Sequence, residues 1–251
     1  MPALSTLGGA SVKDFRRNQT PPSNGLFLFL DASNLSSYPG SGSVWYDLSG
    51  RQNHMNIVSS AWASGTPAYM NFNGSYGCAK SASGSDIHIS GNITAIVWCI
   101  PLNSTGNWRT LFRGLSGSQN HQVIFQAGSW AVGMYDNDHG TGFNNSGYSQ
   151  QSLPGYPNSW VMMTWQFSTS SPQYQLSING SPSSIVGSIS SSNATFNDGI
   201  CSLGAYNNGD FNPANASQYF GLISQCAIYQ RNLNNDEILQ YFTATRGRFG
   251  V

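Results

Sequence analysis

The chain has 251 residues, only 8% of them charged, and a formal net charge of zero. So weak a charge excludes a phosphate-backbone binder and a polybasic membrane anchor, and no run of about 18 apolar residues offers a transmembrane helix. The length allows one large all-β domain or two small ones, and 13% aromatic residues supply a core that the Asn-, Ser- and Gly-rich remainder could not.

Residues 1–24 show no periodicity and end in Pro21-Pro22-Ser23-Asn24, which marks an N-terminal arm ahead of a folded body at 25–251. The arm's charge cluster is Lys13-Asp14-Phe15-Arg16-Arg17. It reads either as a disordered leader or as a segment that orders against a partner. In the second case Phe15 would anchor while Lys13, Arg16 and Arg17 pair with carboxylates.

Gly25 to Asp31 is apolar on both faces and predicts a strand buried on both sides. Val44-Trp45-Tyr46 is a short strand closed by the turn Asp47-Leu48-Ser49-Gly50. Tyr69 to Ala79 reads as a hairpin around Asn73-Gly74. Ile87 to Ile89 is short, and Ile93 to Ile100 is a core strand stopped by Pro101. Leu111 to Arg113, Val123 to Gln126 and Trp130 to Tyr135 form the middle strands. Asp136 to Asn158 is polar throughout and reads as a long loop, a length usually reserved for function or mobility. Trp160 to Phe167, Tyr174 to Ile178 before the Asn179-Gly180 turn, and Ile200 to Gly204 complete the series.

The end of the chain is the most explicit. A strand, Tyr219 to Tyr229, runs into a short helix whose start is written in side-chain chemistry. Asn234 and Glu237 make a capping box, Leu233 and Ile238 a hydrophobic staple, and Asp236 and Glu237 place negative charge in the first turn. Gly247 is the expected left-handed stop. Many short strands at turn-punctuated spacing predict an all-β, two-sheet antiparallel jelly-roll sandwich with one C-terminal helix.

Cys78, Cys99, Cys201 and Cys226 are widely spaced, without CxxC or His at ligand distance, so zinc is not expected. Each occupies an apolar strand position, as buried free thiols do; disulfides would allow three pairings that spacing does not separate.

Asp31-Ala32, Tyr38-Pro39-Gly40-Ser41-Gly42, Trp45-x-Asp47-Leu48-Ser49-Gly50, Phe72-Asn73-Gly74, Trp98, Asn179-Gly180 and Leu203-Gly204 fall in order. Gly221-x-Ile223, Ile228-Tyr229-x-Arg231-x-Leu233 and Ala244-Thr245-Arg246-Gly247-Arg248-Phe249-Gly250 complete the set. Over residues 25–251 the ordered set resembles the concanavalin A-like lectin/glucanase superfamily, in its laminin-G-like, pentraxin-related branch as found in structural proteins of tailed phages and large DNA viruses. The resemblance implies a jelly roll that often carries glycans or calcium at its loop end. Ser224 and Gln225 stand where relatives commonly have an acidic pair, and no strand holds the closely spaced carboxylates of the glucanase branch.

Glycoside hydrolysis needs two carboxylates flanking the bond. Glu237 is the only glutamate and the helix cap accounts for it; Asp31 and Asp47 sit at turn positions where Asp bonds nearby backbone N–H groups. Asp136 and Asp138, flanking Asn137 and followed by His139, read as an acid pair, a calcium loop or a solvated hairpin tip. The hairpin tip is preferred, because calcium takes six to eight oxygens and this loop supplies few. No catalytic residue and no cofactor is therefore expected, calcium being the one metal the loop chemistry leaves open. His54, His88, His121 and His139 lack a nucleophile elbow beside them. A glycan platform could draw on Trp108, Trp130, Tyr135, Asn137, Asp138, His139, Phe143, Tyr148 and Tyr156; the region of Tyr148 and Tyr156 is the better surface candidate, Trp130 the better core one.

The neutral, hydrogen-bonding composition suits an outside-facing protein, yet Met1 to Ala10 lacks the basic and apolar regions of a secretory signal. A particle assembled in a host cytoplasm and released by lysis reconciles the two. The leading expectation is thus a non-enzymatic virion surface protein, held by its arm against other virion proteins or copies of itself. The alternative is a lectin-like module for host-surface polysaccharide.

Overall fold

The computed structural model describes residues 21–58, 61–73, 78–81, 88–89, 91–102, 108–116, 119–125, 131–136, 142–149, 152–168, 174–181, 185–187, 199–204 and 219–251. Among them the first strands are β1 (Leu26–Asp31), β2 (Val44–Trp45), β3 (Met55–Val58), β4 (Ala61–Ala63), β5 (Tyr69–Asn73) and β6 (Cys78–Ser81). The middle ones are β7 (His88–Ile89), β8 (Ile93–Pro101), β9 (Arg109–Ser116), β10 (Gln119–Phe125), β11 (Ala131–Asp136) and β12 (Gly142–Ser149). The last are β13 (Val161–Phe167), β14 (Tyr174–Ile178), β15 (Ile185–Gly187), β16 (Gly199–Leu203) and β17 (Phe220–Tyr229), followed by the helix α1 (Asn235–Phe249).

The strands form two antiparallel sheets, as expected for a jelly-roll sandwich. The first has the order β15-β14-β13-β8-β17-β5-β4, with β1 beside the second half of β17 where β5 leaves off. The second has the order β12-β11-β10-β9-β16-β6-β3-β2, with β7 also on β16. Alternation along β8 shows how the layers are divided. Ile93, Ala95, Val97 and Cys99 face the inter-sheet core with Met163, Trp165 and Phe167 of β13 and Phe112 and Leu203 of the second sheet. Ile96, Trp98 and Ile100 face the other way, into a second core with α1. A strand covered on both sides reads as a near-continuous apolar run, and ITAIVWCI does, with Thr94 as its one polar residue.

The helix seals the first sheet. Ile238, Tyr241, Thr245 and Phe249, spaced three or four apart, are its buried positions. Phe249 stacks on Trp98 at 4.0 Å and 6°, and the Trp98 indole N–H donates to Thr245 Oγ1 at 2.9 Å. Fully burying each of the large side chains contributes about 1.5–3 kcal/mol. The mid-chain motif residue Trp98 and the closing motif residues Thr245 and Phe249 therefore serve one joint.

Four local expectations change. Asn73-Gly74 does not close a hairpin: β5 belongs to the first sheet and β6 to the second, so the chain crosses the sandwich there. The polar stretch from Asp136 to Asn158 contains an edge strand, β12, which among the described residues hydrogen-bonds to β11 at the end of the second sheet, a place that needs little apolar side chain. Gly247 lies inside α1; the left-handed stop is Gly250, at φ 70°, because the helix must continue one turn to set Phe249 against Trp98. Pro101 is the last residue of β8 rather than its terminator.

Cys99 and Cys226 are free and buried, as expected of small hydrophobes, and burial pushes both thiols up to about 12. The thiols of Cys78 and Cys201 lie outside the described side chains.

Candidate functional site

The acidic side chains that are described have structural duties. Asp47 accepts from the backbone N–H groups of Phe29, Ser49 and Asn53 and from Ser49 Oγ, at 2.7–3.0 Å, and so ties the turn after β2 to β1. Asp31 accepts from Ser33 N–H at 2.9 Å as an Asx turn would, but it also takes Arg248 at 2.7 Å and Gln225 Nε2 at 3.1 Å. Tyr241 donates to Gln225 Oε1 at 2.8 Å, so one polar chain joins β1, β17 and α1. Gln225, standing where an acidic residue is common, is thereby a bridge between helix and sheet. Its neighbour Ser224 donates to the Ala68 carbonyl at 2.7 Å. Glu237 closes the capping box with Asn234 and is gripped by both terminal nitrogens of Arg231, at 2.8 and 2.5 Å.

With the first sheet sealed by α1, the outer face of the second sheet is the surface on which a sandwich of this kind could lay a chain-like ligand. Its residues follow from register. Phe112, Leu203 and Val132 point into the core, and the described polar side chains beside them, Thr110, Arg113 and Ser202, are outside that core cluster. Ser202, Arg113, Gln122, Tyr135 and Phe143 then align straight across β16, β9, β10, β11 and β12. The neighbouring row holds Thr110, Ile124, Gly133 and Asn145. None of the described side chains of these five strands is a carboxylate; Asp136 is the last residue of β11, where its backbone pairs with His121. Hydrolysis of a glycosidic bond would need two such groups within about 10 Å of each other. The centre of the face is also closed. Thr110 and Arg113 are each 1% exposed and Ser202 is 2% exposed, which an open cleft would not permit.

The residues singled out in the sequence separate accordingly. Asn137, Asp138 and His139 lie outside the described residues, between β11 and β12. Asp136 ends β11, and no group of three or more His, Cys, Asp or Glu that could hold a metal occurs among the described residues. Tyr148 and Tyr156 are partly buried and pack on the inter-sheet core rather than standing free. Burial raises the Tyr156 hydroxyl above its ordinary value. Lys13, Phe15, Arg16 and Arg17 lie outside the described residues. The four residues after them that were assigned to the arm do not stand off the body: Tyr229 donates to the Pro22 carbonyl at 2.8 Å and Arg231 Nε to that of Asn24 at 2.9 Å.

One exposed cluster escaped the sequence. Among the described residues Tyr46 is the one aromatic residue classed with the exposed large apolar side chains, at 41%, and its ring meets His54 edge-on at 5.2 Å and 73°. The Trp45-x-Asp47-Leu48-Ser49-Gly50 motif marks this turn, but Tyr46 reads there as the third residue of a strand. Strand β2 ends at Trp45, which leaves Tyr46 at the rim.

Comparison with known proteins fits this geometry. The family model for the concanavalin A-like lectin/glucanases superfamily, laminin-G type, matches residues 72–239. No curated protein sequence matches the chain. A Trypanosoma rangeli sialidase in complex with sialic acid superposes with a TM-score of 0.64 at 15% identity, over 94% of this chain and 38% of that one. Domain 4 of AbnA, an extracellular arabinanase from Geobacillus stearothermophilus in complex with arabinotriose, gives 0.62 at 15% identity over 86% of this chain and 97% of that one. The binding domain of Paraclostridial Mosquitocidal Protein 1 gives 0.60 at 18% identity over 88% and 52%. The chain spans about a third of the sialidases it resembles. Identities this low establish the fold and do not extend to the phage and viral branch expected from the motifs.

Proposed function

The chain belongs to the concanavalin A-like lectin/glucanases superfamily, and from that membership we propose that it is a non-catalytic carbohydrate-binding module. The observation that carries this reading is the closed centre of the second sheet, where none of the described side chains is a carboxylate. A lectin-like fold whose sheet face is covered at Arg113, Thr110 and Ser202 recognises sugar at its rim loops, where a ligand is held without acid–base chemistry. One solved structure that the chain covers almost end to end, the arabinanase domain, is a domain in complex with arabinotriose; that likeness supports a binding role and names no sugar for this protein. The test is a glycan array probed with the intact chain, spanning arabinans, glucans, galactans and sialylated oligosaccharides. At least one class should be retained above background; a blank array overturns the reading.

A second reading concerns where the module acts. Pro22 and Asn24 are fastened to β17 and the residue pair beyond it by the Tyr229 and Arg231 hydrogen bonds, which gives the preceding residues a fixed root. An attachment arm needs such a root, and the Lys13, Phe15, Arg16 and Arg17 cluster supplies anchoring chemistry. On this basis the module would be a surface component of a viral particle, tethered by residues 1–20. Removing residues 2–20 should leave the fold intact and abolish recovery of the protein with purified particles. Undiminished recovery removes this role.

A further inference from the structure

The turn after β2 is more rigid than its exposure requires. Tyr46 donates its N–H to the Ser37 carbonyl at 2.7 Å, and its own carbonyl accepts from Ser37 Oγ at 2.6 Å. The backbone beneath the exposed ring is thus fixed on both sides. His54 Nδ1 accepts from the Asp47 N–H at 3.0 Å, which places the proton of the neutral imidazole on Nε2 and leaves that atom a donor. At the tip, exposed Arg51 and Gln52 follow one another, and Gln52 holds φ 61°, a conformation that L-residues other than Asn and Asp rarely adopt. It is held there by neighbours: Asn53 N–H reaches Asp47 Oδ2 at 3.0 Å and Arg51 N–H reaches Ser49 Oγ at 3.2 Å. Backbone strain maintained at an exposed tip is a mark of a functional loop.

We propose that Tyr46, His54, Arg51 and Gln52 form a rim subsite that takes one sugar ring of a polysaccharide. The exposed tyrosine ring packs against the C–H face of the sugar. The imidazole Nε2–H, the guanidinium and the amide are planar donors for its hydroxyl oxygens, set on a loop that loses little freedom on binding. Because the loop continues β2, at the open edge of the second sheet, a polysaccharide can reach it without entering the covered centre of that sheet.

This subsite rests on the carbohydrate-binding reading, and its test separates the two. Isothermal titration of the intact chain with a glycan that the array retains is compared for wild type, Tyr46→Ala and Tyr46→Phe, each checked for an unchanged thermal midpoint. Tyr46→Ala should bind roughly tenfold more weakly and Tyr46→Phe within about twofold of wild type. Chemical-shift changes of the His54 ring during the same titration of wild type need no substitution and should be among the largest in the protein. Binding by Tyr46→Ala at wild-type strength, with a silent His54, overturns the subsite and leaves the carbohydrate reading standing. A wild-type chain that retains no glycan overturns both.

Discussion

Glu237 is the clearest case of a single side chain doing structural work with chemistry that could have been catalytic. The Arg231 guanidinium holds its carboxyl below the ordinary carboxylate range, helped by the Asn234 backbone N–H, while partial burial pulls the other way. A carboxyl whose folded pKa is depressed binds protons more weakly folded than unfolded. Its contribution is therefore present in full above the unfolded value of about 4.3 and is lost as pH falls through the lower folded value. Thermal melts across that acid range should show Glu237→Gln losing less stability on acidification than wild type. Parallel acid limbs for the two would contradict the pairing. At neutral pH the same substitution keeps a capping-box acceptor, since glutamine also serves at the third helical position. It should cost only about 0.2–1 kcal/mol, for the partly exposed Arg231 ion pair it removes. Asp47 works in the same spirit beside β1: four donors converge on one carboxylate that is nearly buried. Asp47→Ala leaves those donors without their acceptor and should destabilise by about 2–4 kcal/mol in urea titrations; a change under about 0.5 kcal/mol would show that the turn holds without it.

At the level of elements, some features were legible in the sequence and others were not, for identifiable reasons. Helix α1 was legible because its start depends on residues three apart: Asn234 and Glu237 bond each other's backbone as their spacing requires. Its end was not, since Gly247 and Gly250 both suit a left-handed stop and the choice is made by Trp98, about 150 positions away in the chain, which needs Phe249 on the helix. Strand β8 was legible because both of its faces are buried. Strand β12 was hidden because an edge strand with one partner can be built from Asn, Ser and Gly. The Asn73-Gly74 pair gives local turn chemistry, but which sheet the next strand joins is a long-range matter. The candidate site followed the same rule. Loop composition pointed to Asn137, Asp138 and His139, whereas Tyr46 became visible only once β2 was seen to stop one residue short of it.

Over the whole molecule, three layers account for the function proposed here. The helix covers one sheet, the inter-sheet core fills the middle, and the outer face of the second sheet is covered where Arg113 lies. A sandwich closed in this way has its rim loops left for recognition, and among the described acids Asp31, Asp47 and Glu237 are committed to holding turns and the helix. The central claim, that the protein holds polysaccharide without cutting it, is tested most directly by counting new reducing ends while the intact chain is incubated with a polysaccharide it retains. The account predicts retention with no new ends over the full incubation. Ends that accumulate with time, and that cease to accumulate when Asp136 or Asp138 is replaced by Asn, would contradict it.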